Sequence, residues 1–82
     1  MNNVEFTTFS IDYKQTGQNL KYRIRAAGFT MQHFADCIGL TSVDPLKKWC
    51  AGKNGMTVLH LIAIATVLDL DPREIVVLTT DG

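Results

Sequence analysis

The chain has 82 residues, 46% of them hydrophobic and 20% charged, and its eight basic and eight acidic residues give a net charge of zero. This size fits one domain with one small core, and the balanced charge argues against a protein that coats nucleic acid without selectivity. The N-terminus lacks a signal-peptide pattern, and the longest apolar-rich run, Val58 to Leu68, is too short to span a bilayer, so we expect a cytoplasmic protein without a membrane partner.

The first predicted elements are an extended arm and a capped helix. Residues 1 to 11 form the arm, because Val4 to Ile11 is rich in β-branched and aromatic residues, which favour a strand. Residues 12 to 82 form the single domain. Its helix 1 begins at an Asp12 cap, and apolar residues recur at helical spacing until Gly28 stops the helix.

Two short helices follow, with a glycine turn between them. Thr30 caps helix 2, and Gly39 ends it because glycine adopts the left-handed conformation of a helix stop at little cost. Asp44 is expected to cap helix 3, which places Pro45 at the first helical position, where its missing amide hydrogen breaks no hydrogen bond. We predict helix 3 from Asp44 to Ala51.

Helix 4 is strongly apolar. Thr57 caps it, and nine of the eleven residues from Val58 to Leu68 are apolar. An amphipathic helix needs only one apolar stripe, so we expect helix 4 to bury two faces, one in the core and one against a second copy of the chain. We expect His60 either on the helix surface or in that dimer interface.

The C-terminal segment admits two structures. Residues 71 to 74 combine a cap, a first-position proline and a third-position acid, which predicts helix 5 through Leu78. The alternative is a short strand from Val76 to Thr80 that pairs with Val4 to Phe9. We expect the helix, and therefore an all-α domain of five helices with a short extended N-terminal segment.

Several short motifs occur in an order typical of one family. They are Tyr13-Lys14 with Gly17, Gly28-Phe29-Thr30, Phe34-Ala35, Gly39-Leu40-Thr41, Trp49-Cys50-Ala51-Gly52-Lys53, and Leu61 to Leu70 followed by Asp71 and Pro72. With these motifs the chain resembles the lambda-repressor-like helix-turn-helix regulators of the Cro/C1 or XRE type, roughly from Ile11 to Leu78. The resemblance implies a DNA-binding domain whose partner is double-stranded DNA.

A paired departure from the family pattern supports this alignment. Family members often carry an arginine and a glutamate that form a buried ion pair, and the matching positions here are Ile24 and Cys50. Removing one partner of a buried pair costs about 3–5 kcal/mol, whereas replacing both with apolar groups can be neutral. We therefore predict a contact between Ile24 and Cys50.

Other departures fall at DNA-contacting positions that the resemblance implies. The family's phosphate-binding glutamine at the start of helix 2 is matched by Met31, which leaves Gln32 or the helix-end amides for that role. The first exposed positions of helix 3 are matched by Val43 and Asp44. Valine can contact a thymine methyl group and aspartate can accept a hydrogen bond from cytosine, but we favour the N-cap role for Asp44.

Helix 3 is the predicted recognition helix, which enters the major groove. Its Trp49 is expected to pack in the core rather than stack on a base. The predicted DNA-binding residues are Thr30, Gln32, Thr41, Ser42, Val43, Asp44, Lys47, Lys48, Lys53 and Asn54. Lys47 and Lys48 are the main candidates for base or phosphate contacts, although lysine is also the commonest surface residue. Lys53 and Asn54 lie in a loop that either binds phosphate or is an ordinary solvated turn.

Charge is unevenly distributed along the chain. Residues 12 to 55 hold seven basic and three acidic residues, whereas residues 56 to 82 hold one basic and four acidic residues. This distribution predicts a basic surface near the helix-turn-helix and an acidic, apolar end elsewhere.

The cysteines and histidines do not form a recognisable site. Cys37 and Cys50 lack CxxC spacing, and we expect both to be reduced and semi-buried. His33 and Cys37 are four residues apart, but no further cysteine or histidine is placed to complete four zinc ligands. No nucleophile, base and acid converge, so we expect no enzyme, metal, cofactor or small-molecule ligand.

Two functions from different classes remain. The leading hypothesis is a sequence-specific, repressor-like transcriptional regulator that forms a homodimer through helices 4 and 5, with the N-terminal arm as a further contact. The alternative is a protein-interaction module, antitoxin-like or an anti-repressor partner, that keeps the fold but binds DNA weakly. Zero net charge, Met31, Val43 and Asp44 favour the module. The local positive charge and the pair Lys47 and Lys48 favour the regulator.

Overall fold

The structure, a computed structural model, describes residues 8 to 81. Its elements in chain order are strand β1 (Thr8–Ile11), helices α1 (Tyr13–Ala26), α2 (Met31–Cys37), α3 (Asp44–Cys50) and α4 (Val58–Leu68), one short 3-10 helix (Pro72–Glu74), and strand β2 (Leu78–Asp81). Over the described residues the domain is therefore predominantly helical, with four α-helices and a two-stranded sheet. None of these helices is both long enough and apolar enough to cross a membrane.

The C-terminal segment ends in a strand, so the expected helix 5 is wrong. The capping box between Asp71 and Glu74 forms, but it begins only the short 3-10 helix. Strand β2 then pairs antiparallel with β1, and Leu78 lies opposite Ile11. The alternative prediction, a C-terminal strand that pairs with the N-terminal segment, is correct. The paired residues lie later in both segments than predicted. Residues 4 to 7 of that prediction lie outside the described residues.

Polar groups at the start of α1 and within it hold the backbone that leads into β2. The Thr16 hydroxyl accepts a hydrogen bond from the Val77 N–H at 2.8 Å, and the Asp12 N–H donates to the Val77 carbonyl at 2.8 Å. The Asn19 side-chain amide donates to the Glu74 carbonyl at 2.7 Å and to the next carbonyl at 3.0 Å. These bonds satisfy backbone groups that a helix would pair internally, and the β-branched residues after Glu74 suit an extended chain.

Local signals for helix starts and stops are confirmed. The side chains of Asp12, Thr30 and Thr57 each accept a hydrogen bond from the backbone N–H three residues later, at 2.9, 3.1 and 3.2 Å. Gly28 and Gly39 follow α1 and α2 with φ of 87° and 80°. These local signals set the starts of α1, α2 and α4 and the ends of α1 and α2 without long-range packing.

The core gathers apolar residues from all four helices. Its buried side chains are Leu20 and Ile24 of α1, Phe34 and Ala35 of α2, Ile38 directly after α2, Leu46 and Trp49 of α3, Ile64 and Ala65 of α4, and Ile75. Cys50 packs half-buried against this cluster, which also contains Ile24. The direct contact between Ile24 and Cys50 stays a prediction.

Helix α1 lies very close to the end of α3. A Cβ atom at Gly17 would overlap with the carbonyl oxygen of Trp49 and would lie 2.5 Å from the carbonyl oxygen of Cys50. Because only glycine lacks this atom, Gly17 allows the two helices to approach. The close approach fixes the C-terminal end of α3 against α1.

Candidate nucleic-acid interface

Helices α2 and α3 form a helix-turn-helix unit. After the Gly39 turn, the Leu40 N–H donates back to the Ala35 carbonyl at 3.0 Å, which closes the end of α2. Phe34 of α2 and Leu46 of α3 are both fully buried. The unit therefore holds α3 with one face in the core and the opposite face in solvent.

The exposed face of α3 carries lysines. Lys47 and Lys48 are exposed, whereas Leu46 is fully buried and Trp49 is 7% exposed. The Trp49 ring packs against the half-buried His60 ring, with centroids 5.2 Å apart. Trp49 is thus a packing residue, as expected, and the chemistry that α3 offers to a partner comes from its lysines.

The start of α3 differs from the prediction at two residues. The N-cap is Val43, which makes no side-chain capping bond, and Asp44 is the first helical residue, so the expected N-cap role of Asp44 is wrong. The Ser42 hydroxyl instead accepts a hydrogen bond from the Asp44 N–H at 3.4 Å. The Asp44 carboxylate still favours the helix, because the first turn carries a partial positive charge.

Val43 also differs from its predicted setting. It was expected as an exposed position of the reading helix, but it is half-buried and packs against the core. A side chain that already contacts the core has less surface for a thymine methyl group. Thr41 and Ser42, which precede it in the turn, are both exposed.

The predicted residues at the start of α2 are exposed but already engaged. The Thr30 hydroxyl caps the helix through the His33 N–H. The Gln32 side-chain amide donates to the Asp36 carboxylate at 3.0 Å, one turn along the same face. This bond holds Gln32 beside a negative charge, which disfavours an approaching phosphate.

The loop after α3 lies against the start of α1. The Lys53 N–H donates to the Lys48 carbonyl at 3.0 Å, and the side chains of Lys53 and Asn54 are exposed. A Cβ atom at Gly52, where φ is 76°, would lie 2.8 Å from the Lys14 Cα, so the loop is held close to α1. The structure therefore places Lys53 just beyond the lysine-bearing end of α3.

The sequence prediction missed two basic residues of α1 that lie beside α3. Lys21 and Arg25 line a groove between these helices together with Lys47, Met31 and Cys50. They were counted in the positive charge of residues 12 to 55, but no local pattern placed them next to α3. Helical spacing shows that they share a face of α1; only packing shows that this face adjoins Lys47.

The two cysteines have different environments. Cys37 is exposed, which corrects the expectation that it is semi-buried, and Cys50 is half-buried, as expected. Burial raises the pKa of the Cys50 thiol from 9.0 to about 11, while Lys21 and Arg25 act to lower it. The Cys50 side chain is thus a neutral thiol at neutral pH and packs as a small apolar group.

Histidines occur in packing positions, and no metal cluster is found in the described part of the chain. His33 packs against the Phe29 ring with centroids 5.3 Å apart, and the His60 Nδ1 lies 2.9 Å from the Thr57 hydroxyl. From residue 8 to residue 81, no three side chains of the kinds that bind metals come together.

Comparison with known proteins relates this geometry to one solved fold. No protein-family model matches the chain, and no curated protein is significantly similar to it in sequence. The chain is similar in structure to the restriction-modification controller protein C.AhdI from Aeromonas hydrophila, with a TM-score of 0.72 and 26% sequence identity over 78% of this chain and 96% of that chain. The likeness supports the predicted helix-turn-helix type of fold.

Proposed function

We propose that this protein is a DNA-binding transcriptional regulator that inserts α3 into the major groove and acts as a repressor. The observation that carries the proposal is the setting of α3: the core holds Leu46 and Trp49, and Lys47 and Lys48 face solvent. A helix held in this way on a helix-turn-helix unit is suited to the major groove. The likeness to a controller protein supports a regulatory role.

The proposed contacts divide into base and phosphate contacts. Lysine donates to guanine O6 and N7 as well as to phosphates, so Lys47 and Lys48 serve either class. Ser42, in the turn before α3, has a hydroxyl suited to phosphate or base edges. Lys53 and Asn54, in the loop after α3, are placed for the sugar–phosphate backbone.

A salt titration on a random-sequence DNA duplex tests this function. Fluorescence anisotropy of a labelled duplex should show binding that weakens as salt rises, with a linear relation between log Kobs and log salt. Replacing both lysines, Lys47→Gln with Lys48→Gln, should lower the magnitude of the slope by about 0.9 for each of the two that contacts a phosphate. The single-charge control Arg73→Gln, in the acidic C-terminal segment, should leave it unchanged. Absence of binding at low salt would overturn the proposal.

We also propose that two copies associate through α4. Val58, Leu59 and Ile62 are 77%, 73% and 49% exposed, although each is a large apolar residue on a helix that the core uses mainly through Ile64 and Ala65. A two-fold pair joined through one such face would present two α3 helices to two half-sites about 34 Å apart. Because the expected helix 5 is absent, α4 is the main element of this interface.

Oligomeric state tests the dimer proposal independently of DNA. Sedimentation at micromolar concentration should show a dimer, and Leu59→Lys should shift it to monomer because a buried unpaired charge disfavours association. Tyr22→Lys, at a position 67% exposed on α1, is the matched control and should remain dimeric. A monomeric wild-type protein would contradict the proposal.

A second candidate function, a protein-interaction module with weak DNA affinity, rests on the start of α2 and of α3. Gln32 is hydrogen-bonded to Asp36, and Val43 packs against the core, so two positions of the predicted DNA surface offer little to a phosphate or base. The same salt titration separates the two functions. A folded, dimeric protein without affinity for DNA at low salt would favour the module.

A further inference from the structure

The outward face of α1 carries a set of polar and basic side chains that the proposed contacts of α3 do not include. Gln18, Lys21, Tyr22 and Arg25 line one groove along this helix. All four are exposed, and Tyr22 is 67% exposed. Their spacing of three and four residues places them on one side of the helix.

This face is continuous with the α3 surface. Lys21 and Arg25 also line the neighbouring groove between α1 and α3, where they are joined by Lys47. Cys50, at the end of α3, lines the same groove, which places both cations at the α3 side of α1 rather than away from it. Lys21 and Arg25 of α1 are therefore continuous with Lys47 of α3. We call the four α1 residues Gln18, Lys21, Tyr22 and Arg25 the α1 strip.

The chemistry of this strip matches a sugar–phosphate backbone. Lysine, arginine, glutamine and tyrosine side chains are all common donors to phosphate and sugar oxygens. From Gln18 to Arg25 the helix advances about 10 Å, and one DNA strand presents a phosphate about every 3.4 Å along its axis. The strip is thus long enough to contact more than one phosphate.

We propose that this α1 strip binds the phosphate backbone beside the segment that α3 reads, with Lys21 and Arg25 as the phosphate-binding residues. This inference rests on the proposed DNA-binding function. It also accounts for phosphate anchoring in a chain whose α2 begins with Met31 and whose Gln32 is bonded to Asp36. An acidic protein segment could meet the same cations, but the continuity with Lys47 on the reading helix favours DNA.

The test compares two charge-neutralising double variants on one labelled random-sequence duplex over about 50 to 200 mM salt. Lys21→Gln with Arg25→Gln should lower the magnitude of the salt slope by about 1.8, because two phosphate contacts are lost. Lys21→Arg with Arg25→Lys keeps both charges and should retain the wild-type slope. Arg73→Gln serves as the single-charge control outside the strip, and thermal unfolding by circular dichroism verifies that every variant is folded.

The outcomes separate this inference from the function on which it rests. If the wild-type protein fails to bind the duplex at low salt, both proposals are overturned. If Lys47→Gln with Lys48→Gln lowers the slope but the Lys21 and Arg25 double variant keeps it, α3 binds DNA and the strip does not. The Lys21→Gln and Arg25→Gln double variant could instead keep the wild-type salt dependence of DNA binding and lose affinity for polyglutamate. That result would assign the strip to an acidic protein partner and overturn the proposal.

Discussion

The helix-turn-helix end of the domain and its strand end are held by different interactions. At the first end, large apolar side chains such as Phe34 and Leu46 are fully buried, and the solvent side carries lysines. At the second end only Ile75 is buried from residue 72 to residue 80. The 3-10 helix and the backbone leading to β2 are bound by the side chains of Thr16 and Asn19, while Leu78 is 56% exposed.

This difference has consequences for stability and for partners. Burial of apolar surface stabilises a fold by about 25 cal/mol per Å², whereas one hydrogen bond contributes about 0.5–1.5 kcal/mol net. We therefore expect the helical end to unfold only with the whole domain and the strand end to open locally. The lysine surface attracts anions, and the apolar surface of α4 and β2 favours another apolar surface.

The largest effect is expected from a cavity at the helix-turn-helix end. Phe34→Ala should lower the free energy of unfolding by about 3–5 kcal/mol, because it removes a fully buried ring and leaves a void. Urea denaturation measures this change. Tyr22→Ala, at a 67% exposed aromatic residue, should stay within about 0.5 kcal/mol of wild type. Equal losses in both variants would show that the core is not organised around Phe34.

The next effect tests the close packing of α1 against the end of α3. Gly17→Ala should destabilise the domain by about 1–3 kcal/mol, since the added methyl group would overlap with the backbone of Trp49 and Cys50. Helix propensity alone predicts the opposite sign, a gain of about 1 kcal/mol. The neighbouring exposed residue supplies the control: Gln18→Ala should be close to neutral in the same denaturation experiment. A stabilised Gly17→Ala variant would refute the close approach.

A smaller and more local effect is expected at the strand end. Thr16→Val keeps the shape of the side chain but removes the acceptor for the half-buried Val77 N–H, which should cost about 0.5–1.5 kcal/mol. In this variant the amide hydrogen of Val77 should exchange with solvent faster than in wild type, and its rate should rise more than the rates of the amides in α2. Thr80→Val, on exposed β2, should change neither quantity appreciably. Uniformly faster exchange across all helices would argue against a separately opening strand end.

The last effect is confined to alkaline solution and distinguishes the two cysteines. Above pH 9.0 the unfolded chain loses the Cys50 proton while the folded chain keeps it up to about pH 11, so stability should fall as the pH rises between these values. Cys50→Ala should remove this part of the pH dependence, and Cys37→Ala should retain it. Denaturation curves at pH 9 and above measure the difference; identical pH profiles for wild type and Cys50→Ala would contradict it.

Much of the helical end could be predicted because its signals are local. The caps at Asp12, Thr30 and Thr57 act on amides three residues away, and apolar residues at helical spacing select the buried face. The start of α3 was harder to predict: Val43, which packs against the core, takes the N-cap position without a capping bond, and Asp44 is the first helical residue.

The candidate site was predictable only in part. Helical spacing was sufficient to place Lys47 and Lys48 on the exposed side of α3, because Leu46 and Trp49 define its inner side. The addition of Lys21 and Arg25 required the packing of α1 on α3, which joins residues far apart in the chain.

The sequence by itself determined the four helices, the caps of α1, α2 and α4 and the apolar stripes that pack the helices, because these depend on residues within a few positions of one another. Only the tertiary structure decided the C-terminal segment. Its capping box favours a helix and its β-branched residues favour a strand, and the local preferences are of similar size. The Thr16 hydroxyl accepts a hydrogen bond from this segment and the Asn19 amide donates one to it, and β1 pairs with its end. These long-range bonds settle the competition, since they satisfy backbone groups that a helix would otherwise pair internally.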